Sequence, residues 1–182
     1  MKSTTTILAI TLLALACAAQ GGQPAAQPPA APQGVAAEAK AEYNSIKTNI
    51  TKMADAMSEE NYSFKASPDI RTFGDLMQHI ADAQTLYCTM ADGALKRPEP
   101  STGKPKAEVV SALKASFETC DAVFAKLTDA SAAETVAFGR GGQRTRLSVL
   151  WRNIAHSNEE YGYGAIYLRL KGVTPPSSVP RQ

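Results

Sequence analysis

The sequence has little of what most catalytic centres require. Its 182 residues include only two histidines, His79 and His156, which leaves little material for a separate catalytic triad. It also lacks a glycine-rich phosphate loop, a Cys-x-x-Cys pair and a Gly-x-Ser-x-Gly elbow. The familiar nucleotide, redox and serine hydrolase sites are therefore not indicated.

The chain also lacks a strong charge of either sign. Nineteen basic residues stand against 17 acidic ones, and the formal net charge is only +2. We find no stripe of arginine or lysine that could follow a phosphate backbone, so no nucleic acid partner is expected. With 44% hydrophobic and 20% charged residues, the composition is typical of one soluble globular domain.

The first 18 residues have the pattern of a signal peptide. Lys2 precedes an apolar stretch over residues 7–16, which ends in the small-x-small pattern Ala14-Leu15-Ala16. This stretch is too short to remain as a membrane anchor, so the pattern predicts a secreted or periplasmic protein. Cys17 follows at once and also resembles a lipoprotein acceptor, which would instead anchor the protein to the cell envelope through a lipid.

A linker is predicted over residues 19–35. It contains the run QGGQPAAQPPAAPQG, which is rich in proline, glutamine, alanine and glycine and cannot bury enough apolar surface to fold. The folded domain is therefore expected to span residues 36–178.

Four segments have apolar residues at helical spacing. They run from about residue 36 to 58, from the Thr72 and Asp75 capping box to Gly93, from Pro105 through Leu127, and from about Leu147 to Lys171. Each apolar face must be covered by another helix, which predicts an all-α four-helix bundle. Between the third and fourth helices, ETVAFGRGGQRTR predicts a turn with two short extended pieces.

The cysteines bear on how the helices are connected. If Cys17 is removed with the signal or carries a lipid, Cys88 and Cys120 remain as a pair in an oxidising compartment. They lie at similar depths in the second and third helices, so a disulfide requires these helices to run parallel. The bundle would then run up, down, down, up. Cys120 also lies on an apolar face, however, where a free buried thiol is the alternative.

His156 and Glu160 are the first candidates for a functional site. They lie four residues apart on the fourth helix, so both side chains point the same way and can share one cation. Such a pair is also common on a solvated helix face. His79, at the edge of the apolar face of the second helix, would add a third ligand from another helix.

Four further side chains near these residues are candidates for supporting roles. Asp75 and Asp82 flank His79 at one-turn spacing and are candidates to orient it, or to replace Glu160 as a ligand. Tyr163 and Tyr167 share the face of His156 and are candidates to line a cleft. Trp151 is assigned to the main apolar face of the same helix.

Two segments carry a resemblance to a known family. RTFGDLMQHIADAQTLYC, residues 71–88, and NIAHSNEEYGYGAIYLRLKGVTPPSS, residues 153–178, resemble the two signature regions of the DinB-like family. That family is allied to the bacillithiol- and mycothiol-dependent transferases. The resemblance implies an up-down-down-up four-helix bundle over roughly residues 38–178.

The resemblance also implies a metal site. In the family, three histidines bind a divalent metal. One lies in the second helix, and two lie in the last helix, typically in the motif His-x-x-x-His-Tyr-Gly. His79 matches the first and His156 the second, but Glu160 stands before Tyr161-Gly162, where the third histidine is expected. The implied set of two histidines and a carboxylate suits zinc, nickel or iron.

Two functions are compatible with these features. The protein could be a metal-dependent transferase, such as a thiol transferase, or a hydrolase that acts on a small molecule. It could instead be a non-catalytic exported bundle with a degenerate metal site, which binds a ligand or pairs with itself as a homodimer. Fold alone does not decide between them.

Overall fold

The computed structural model describes residues 34–180, which form five α-helices, two short strands and two 3-10 helices. The predicted signal peptide and residues 19–33 of the predicted linker lie outside the described residues. The α-helices are α1 Val35–Ala56, α2 Phe73–Ala91, α3 Lys106–Lys126, α4 Asp129–Ala133 and α5 Arg146–Leu170. The strands β1 Thr135–Phe138 and β2 Gly142–Thr145 form an antiparallel hairpin, and the 3-10 helices are Glu59–Ser63 and Pro176–Ser178.

Contacts at the two ends of α1 and α3 show that these helices are antiparallel. Near the start of α1, the Tyr43 hydroxyl donates to Asp121 Oδ1, late in α3, over 2.7 Å. At the other end, the Lys106 ammonium group donates to the Met57 carbonyl over 2.6 Å. The start of one helix therefore lies beside the end of the other.

The middle pair, α2 and α3, is parallel. Just before α3, the Gly103 amide donates to Asp75 Oδ1 at the start of α2 over 2.8 Å. Late in both helices, the predicted disulfide joins Cys88 and Cys120, whose Cα atoms lie 5.2 Å apart. Both bonds are made at matching depths, which only a parallel pair allows.

The last helix returns antiparallel to α2. Arg146 Nε, at the start of α5, donates to the Ala91 carbonyl at the end of α2 over 2.9 Å. Tyr167, near the end of α5, donates its hydroxyl to the Arg71 carbonyl just before α2 over 2.6 Å. The predicted bundle with its up, down, down, up order is therefore confirmed, with α1, α2, α3 and α5 as its long helices.

The face that α5 buries is wider than its sequence pattern indicates. Trp151, assigned to the main apolar face, is 38% exposed, so that assignment was wrong. Because α5 packs against both α1 and α2, its buried arc also includes polar and small side chains. The buried residues are Val149, Leu150, Asn153, Ile154, Ser157, Glu160, Tyr161, Gly164, Ala165, Tyr167 and Leu168.

Two glycines of α5 provide a matched test of this packing. A Cβ at the exposed Gly162 would contact nothing within 4 Å, whereas one at the buried Gly164 would lie 2.5 Å from Met53 Sδ. We expect Gly162→Ala to raise the free energy of unfolding by about 0.5–1 kcal/mol, because glycine loses more backbone entropy in a helix. Gly164→Ala should not show this gain, because the buried Met53 side chain must move to admit the Cβ and the overpacking offsets the entropy term. Urea denaturation of both variants measures the difference, and equal changes would contradict the packing of α5 on α1.

No helix within residues 34–180 combines the length and apolar character that crossing a membrane requires.

Candidate metal centre

His79, His156 and Glu160 converge at the interface between α2 and α5. The two Nε2 atoms lie 3.1 Å apart. Glu160 Oε1 lies 3.4 Å from His79 Nε2 and 3.5 Å from His156 Nε2. Because α2 and α5 are antiparallel neighbours, one imidazole from α2 meets two side chains on successive turns of α5.

These three separations suit a shared cation. Zinc binds imidazole nitrogen and carboxylate oxygen at about 2.0–2.2 Å in tetrahedral geometry, which places two ligand atoms about 3.3–3.6 Å apart. The observed 3.1 Å, 3.4 Å and 3.5 Å lie at or close to that range. The three ligand atoms can therefore surround one ion with only small side-chain movements.

Hydrogen bonds alone account less well for the same arrangement. A proton on Nε2 of His79 can be shared between His156 Nε2 and Glu160 Oε1, but these two acceptors then face each other at 3.5 Å. A cation at the centre would be attractive to all three atoms. The donor set, two imidazoles and one carboxylate, is also one that divalent metals prefer.

The site is partly removed from water. The side chain of Glu160 is only 8% exposed, and the histidines His79 and His156 are 33% and 19% exposed. Glu160 Oε2 and His156 Nδ1 are buried without a hydrogen-bond partner within the described chain. Burying a carboxylate oxygen in this way is costly unless a cation compensates its charge.

Electrostatics favour the protonation states that bind metal. Burial lowers the pKa of His156 below its ordinary value, which keeps the imidazole neutral. For Glu160, burial by itself raises the pKa, but the hydrogen bond from His79 and the basic side chains around the carboxylate, Arg71 among them, outweigh it and the pKa is lowered. A neutral imidazole and an ionised carboxylate are the forms that ligate.

The two aspartates beside His79 have other partners. Asp75 Oδ1 accepts from the Gly103 amide, and Asp82 Oδ1 accepts from Gln78 Nε2 over 2.9 Å. Within residues 34–180 neither carboxylate hydrogen-bonds to a histidine or belongs to the three-residue group. The expected orienting contact with His79 is therefore not made there. Asp75 instead fixes the segment that leads into α3.

A cleft of about 660 Å³ opens beside Glu160. Both tyrosines predicted to line a cleft lie in its wall, Tyr163 half-exposed and Tyr167 buried. The Tyr163 hydroxyl donates to Glu159 Oε1 over 3.2 Å. The remaining wall consists of Ala66, Asp69, Ile70, Arg71, Leu76 and Ile166. One of the three candidate ligands, Glu160, thus borders a space large enough for a small molecule.

A buried polar layer that was not predicted from the sequence lies between the disulfide and the site. Gln84 Nε2 donates to Ser157 Oγ over 3.0 Å, and Asn153 Nδ2 donates to Gln84 Oε1 over 2.7 Å. Gln84 Oε1 also lies 2.9 Å from Cys120 Sγ. These bonds join α2 to α5 next to the turn that carries His156.

A sequence signal for this layer existed. Gln84 lies midway between Ile80 and Cys88 in a row of i, i+4 positions that faces the core. Asn153 and Ser157 have the same spacing on α5. Polar residues on a row of buried positions indicate a buried hydrogen-bond network, since buried polar groups are almost always paired.

We expect Gln84→Ala to lower the free energy of unfolding by about 2 kcal/mol. The change leaves the Asn153 amide and the Ser157 hydroxyl without their shared partner and creates a small cavity. Thermal or urea unfolding measures the loss. Thr119→Ala on α3 is the control and should change stability little, because Thr119 is partly exposed and its hydroxyl bonds to the Ala115 carbonyl of its own helix. Equal stability of the two variants would contradict a structural role for the layer.

The fold and the site together define a class of protein: a four-helix bundle with a His, His, carboxylate group, suited to a divalent metal, between its second and last long helices. The family model of the DinB superfamily matches residues 21–163, and the chain belongs to that superfamily. None of the curated protein sequences matches this chain.

Solved structures show the same fold. A DinB-like protein from Bacillus cereus ATCC 10987 is 19% identical with a TM-score of 0.65, covering 76% of this chain and 93% of its own. A DinB-like protein from Bacillus subtilis is also 19% identical with a TM-score of 0.63, covering 79% and 96%. A variant of the mycothiol-dependent maleylpyruvate isomerase is 9% identical with a TM-score of 0.57, covering 72% of this chain and 60% of its own.

Proposed function

We propose that the domain binds one divalent cation at His79, His156 and Glu160 and uses it in a transfer or hydrolysis reaction on a small molecule. The observation that carries this proposal is the convergence of three ligand atoms, all within 4.8 Å of one another, beside an open cleft. Three protein ligands leave coordination positions open, as in catalytic rather than structural metal sites.

The ligand set narrows the choice of ion. Two imidazoles and one carboxylate are typical of catalytic zinc and of iron(II), and nickel accepts the same donors. Compared with three histidines, Glu160 adds one negative charge to the site. When bound, the cation would supply Lewis-acid chemistry, which activates a thiol or water for attack on an electrophile.

The residues of the chain have separate parts in this proposal. His156 and Glu160 are held by successive turns of α5, so their spacing is fixed by the helix. His79 provides the third ligand from α2. The hydrogen bonds around Gln84 hold α2 and α5 in register. Tyr163 lies on the cleft wall, and its hydroxyl oxygen, whose hydrogen is donated to Glu159, can accept a hydrogen bond from a ligand that enters.

A thiol transferase is the favoured reaction class. Its support is the fold shared with an enzyme whose name describes a mycothiol-dependent isomerisation, so that a low-molecular-weight thiol takes part there. A hydrolase would use the same ligands with water in place of the thiol.

An activity assay tests this proposal. The zinc-loaded domain is mixed with cysteine or glutathione and the electrophile 1-chloro-2,4-dinitrobenzene, and hydrolysis of 4-nitrophenyl acetate is followed separately. We expect turnover that is lost with a chelator and at least about tenfold slower in Glu160→Gln. Glu159→Gln, a neighbouring exposed carboxylate, is the control and should retain activity. Turnover that survives chelation would contradict the metal-dependent mechanism.

We also propose that the protein is exported, with secreted or periplasmic and lipid-anchored forms as the two alternatives. The disulfide supports export, because disulfides persist mainly in oxidising compartments. The intact mass of the protein from its own cells separates the two forms, since lipidation adds acyl chains at Cys17. An unprocessed chain with its first 16 residues would contradict both.

A further inference from the structure

We infer that the cleft beside Glu160 recognises a small carboxylic acid, and that Arg71 binds its carboxylate. This inference deepens the proposed function, since the bound acid would be the substrate or a part of it. It rests on the position of Arg71, on its lack of an opposing partner, and on the apolar walls around it.

Arg71 lines the same cleft as Glu160. Within residues 34–180 its guanidinium forms no ion pair, and no side-chain hydrogen bond from it is made. A guanidinium carries five donors in a planar fork that matches the two oxygens of a carboxylate. It is therefore available to a ligand that enters the cleft.

The backbone that carries Arg71 is held in place. Its carbonyl accepts the hydroxyl of Tyr167, which is itself buried in the bundle. The loop is closed at its ends by the Phe73 amide, which donates to the Phe64 carbonyl over 2.9 Å. The ring of Phe64 also packs edge-on against Tyr167. The guanidinium thus extends from an anchored loop, so that less conformational freedom of the backbone is lost when a ligand binds.

The walls of the cleft fit an apolar body. Ile70, Tyr163 and Ile166 are 41%, 50% and 52% exposed, although each is a large hydrophobic residue. Burying these side chains under a ligand would be favourable at about 25 cal/mol per Å² of apolar surface. A ligand with a ring or short aliphatic chain that ends in a carboxylate could cover this apolar surface and pair its carboxylate with Arg71.

The balance of charge points to an acid once the cation is bound. A divalent cation and Arg71 supply three positive charges, against two negative charges from Glu160 and Asp69, the carboxylate that shares the cleft. The surplus is one positive charge, which favours an anion over a neutral or cationic ligand. Asp69 opposes this preference, so its removal should strengthen binding of the acid.

The experiment compares phenylacetate with its uncharged analogue phenylacetamide by isothermal titration calorimetry on the zinc-loaded domain. We expect phenylacetate to bind more tightly, and Arg71→Gln to weaken it at least about tenfold while leaving phenylacetamide unchanged. Arg71→Lys should retain part of the preference, and Asp69→Asn should increase it. Arg97→Gln, an exposed arginine outside the cleft, is the matched control and should change neither affinity.

Three outcomes would overturn the inference. They are equal affinity of the wild-type domain for both probes, no binding of either probe to it, and a preference for phenylacetate that survives in Arg71→Gln. Elemental analysis of the same samples separates this result from the proposed function. If no metal is bound, the metal-dependent function fails, while an Arg71-dependent preference for phenylacetate still supports recognition of an acid. Because Arg71 is exposed, its variants should unfold at the temperature of the wild type.

Discussion

Bound zinc should fall from about one ion per chain in the wild-type domain to background in His156→Ala. The substitution removes one of three ligands, and the remaining His79 and Glu160 belong to different helices and cannot chelate the ion from one element. Loss of one ligand from such a set should weaken affinity by at least about two orders of magnitude. Elemental analysis after dialysis against a metal-buffered solution measures the change.

The two adjacent glutamates of α5 provide the control for this prediction. Glu160→Gln keeps the shape of the side chain but replaces a charged oxygen with a weaker amide ligand, so it should bind less zinc than the wild type. Glu159→Gln changes an exposed carboxylate that lies outside the three-residue group and should bind as the wild type does. If both variants lost the same amount of bound zinc, the ion would be retained by the overall negative charge of this region and not through ligation by Glu160.

The second large effect concerns the disulfide. The double substitution Cys88→Ala with Cys120→Ala should lower the free energy of unfolding by about 3–4 kcal/mol, on the chain-entropy relation. The bridge spans a sequence separation of 32 residues and therefore restricts a long segment of the unfolded chain. Urea denaturation monitored by circular dichroism measures the loss.

Reduction of the wild-type protein is the internal control. Dithiothreitol should lower the stability of the wild type by about the same 3–4 kcal/mol and should leave the double variant unchanged, because the variant has no bridge to lose. A response of the variant equal to that of the wild type would show that the reductant acts elsewhere. A loss below about 1 kcal/mol in both experiments would contradict a bridge that is formed in solution.

The bundle could be predicted from the sequence because its signals are local. Apolar residues at helical spacing mark the four long helices, and the capping pair Thr72 and Asp75 marks the start of α2, where the Asp75 amide donates to the Thr72 hydroxyl. Helical periodicity does not show whether two neighbouring helices run parallel or antiparallel, so the helix directions required a further constraint. The similar depths of Cys88 and Cys120 in their helices supplied it, since a bridge between them is compatible only with a parallel pair.

The residues of the candidate site could be named for a related reason. Because the chain has only two histidines, a site with imidazole ligands had few alternatives, and His156 with Glu160 has the spacing of one helical turn. His156 and Glu160 come close to His79 only because of the way α2 packs against α5. Helical periodicity in the sequence does not predict that packing. The spacing of Asp75 suited both a helix cap and an orienting role, and its bond to Gly103 came from a distant segment.

Other features depend on the tertiary structure and have no local signature. Trp151 fits the apolar period of α5 but lies at the edge of the arc that α1 and α2 cover, so it stays exposed. Arg71 lies in a loop without periodicity, and only the folding of α5 against that loop brings it to the same cleft as Glu160. Contacts of this kind are set by the packing of elements that are distant in sequence.

Anomalous diffraction from crystals of the zinc-loaded protein tests the central claim most directly. We expect one strong peak between α2 and α5, at about 2.0–2.2 Å from Nε2 of His79, Nε2 of His156 and a carboxylate oxygen of Glu160. A zinc ion bound elsewhere, or one held by only one of these three side chains, would contradict it.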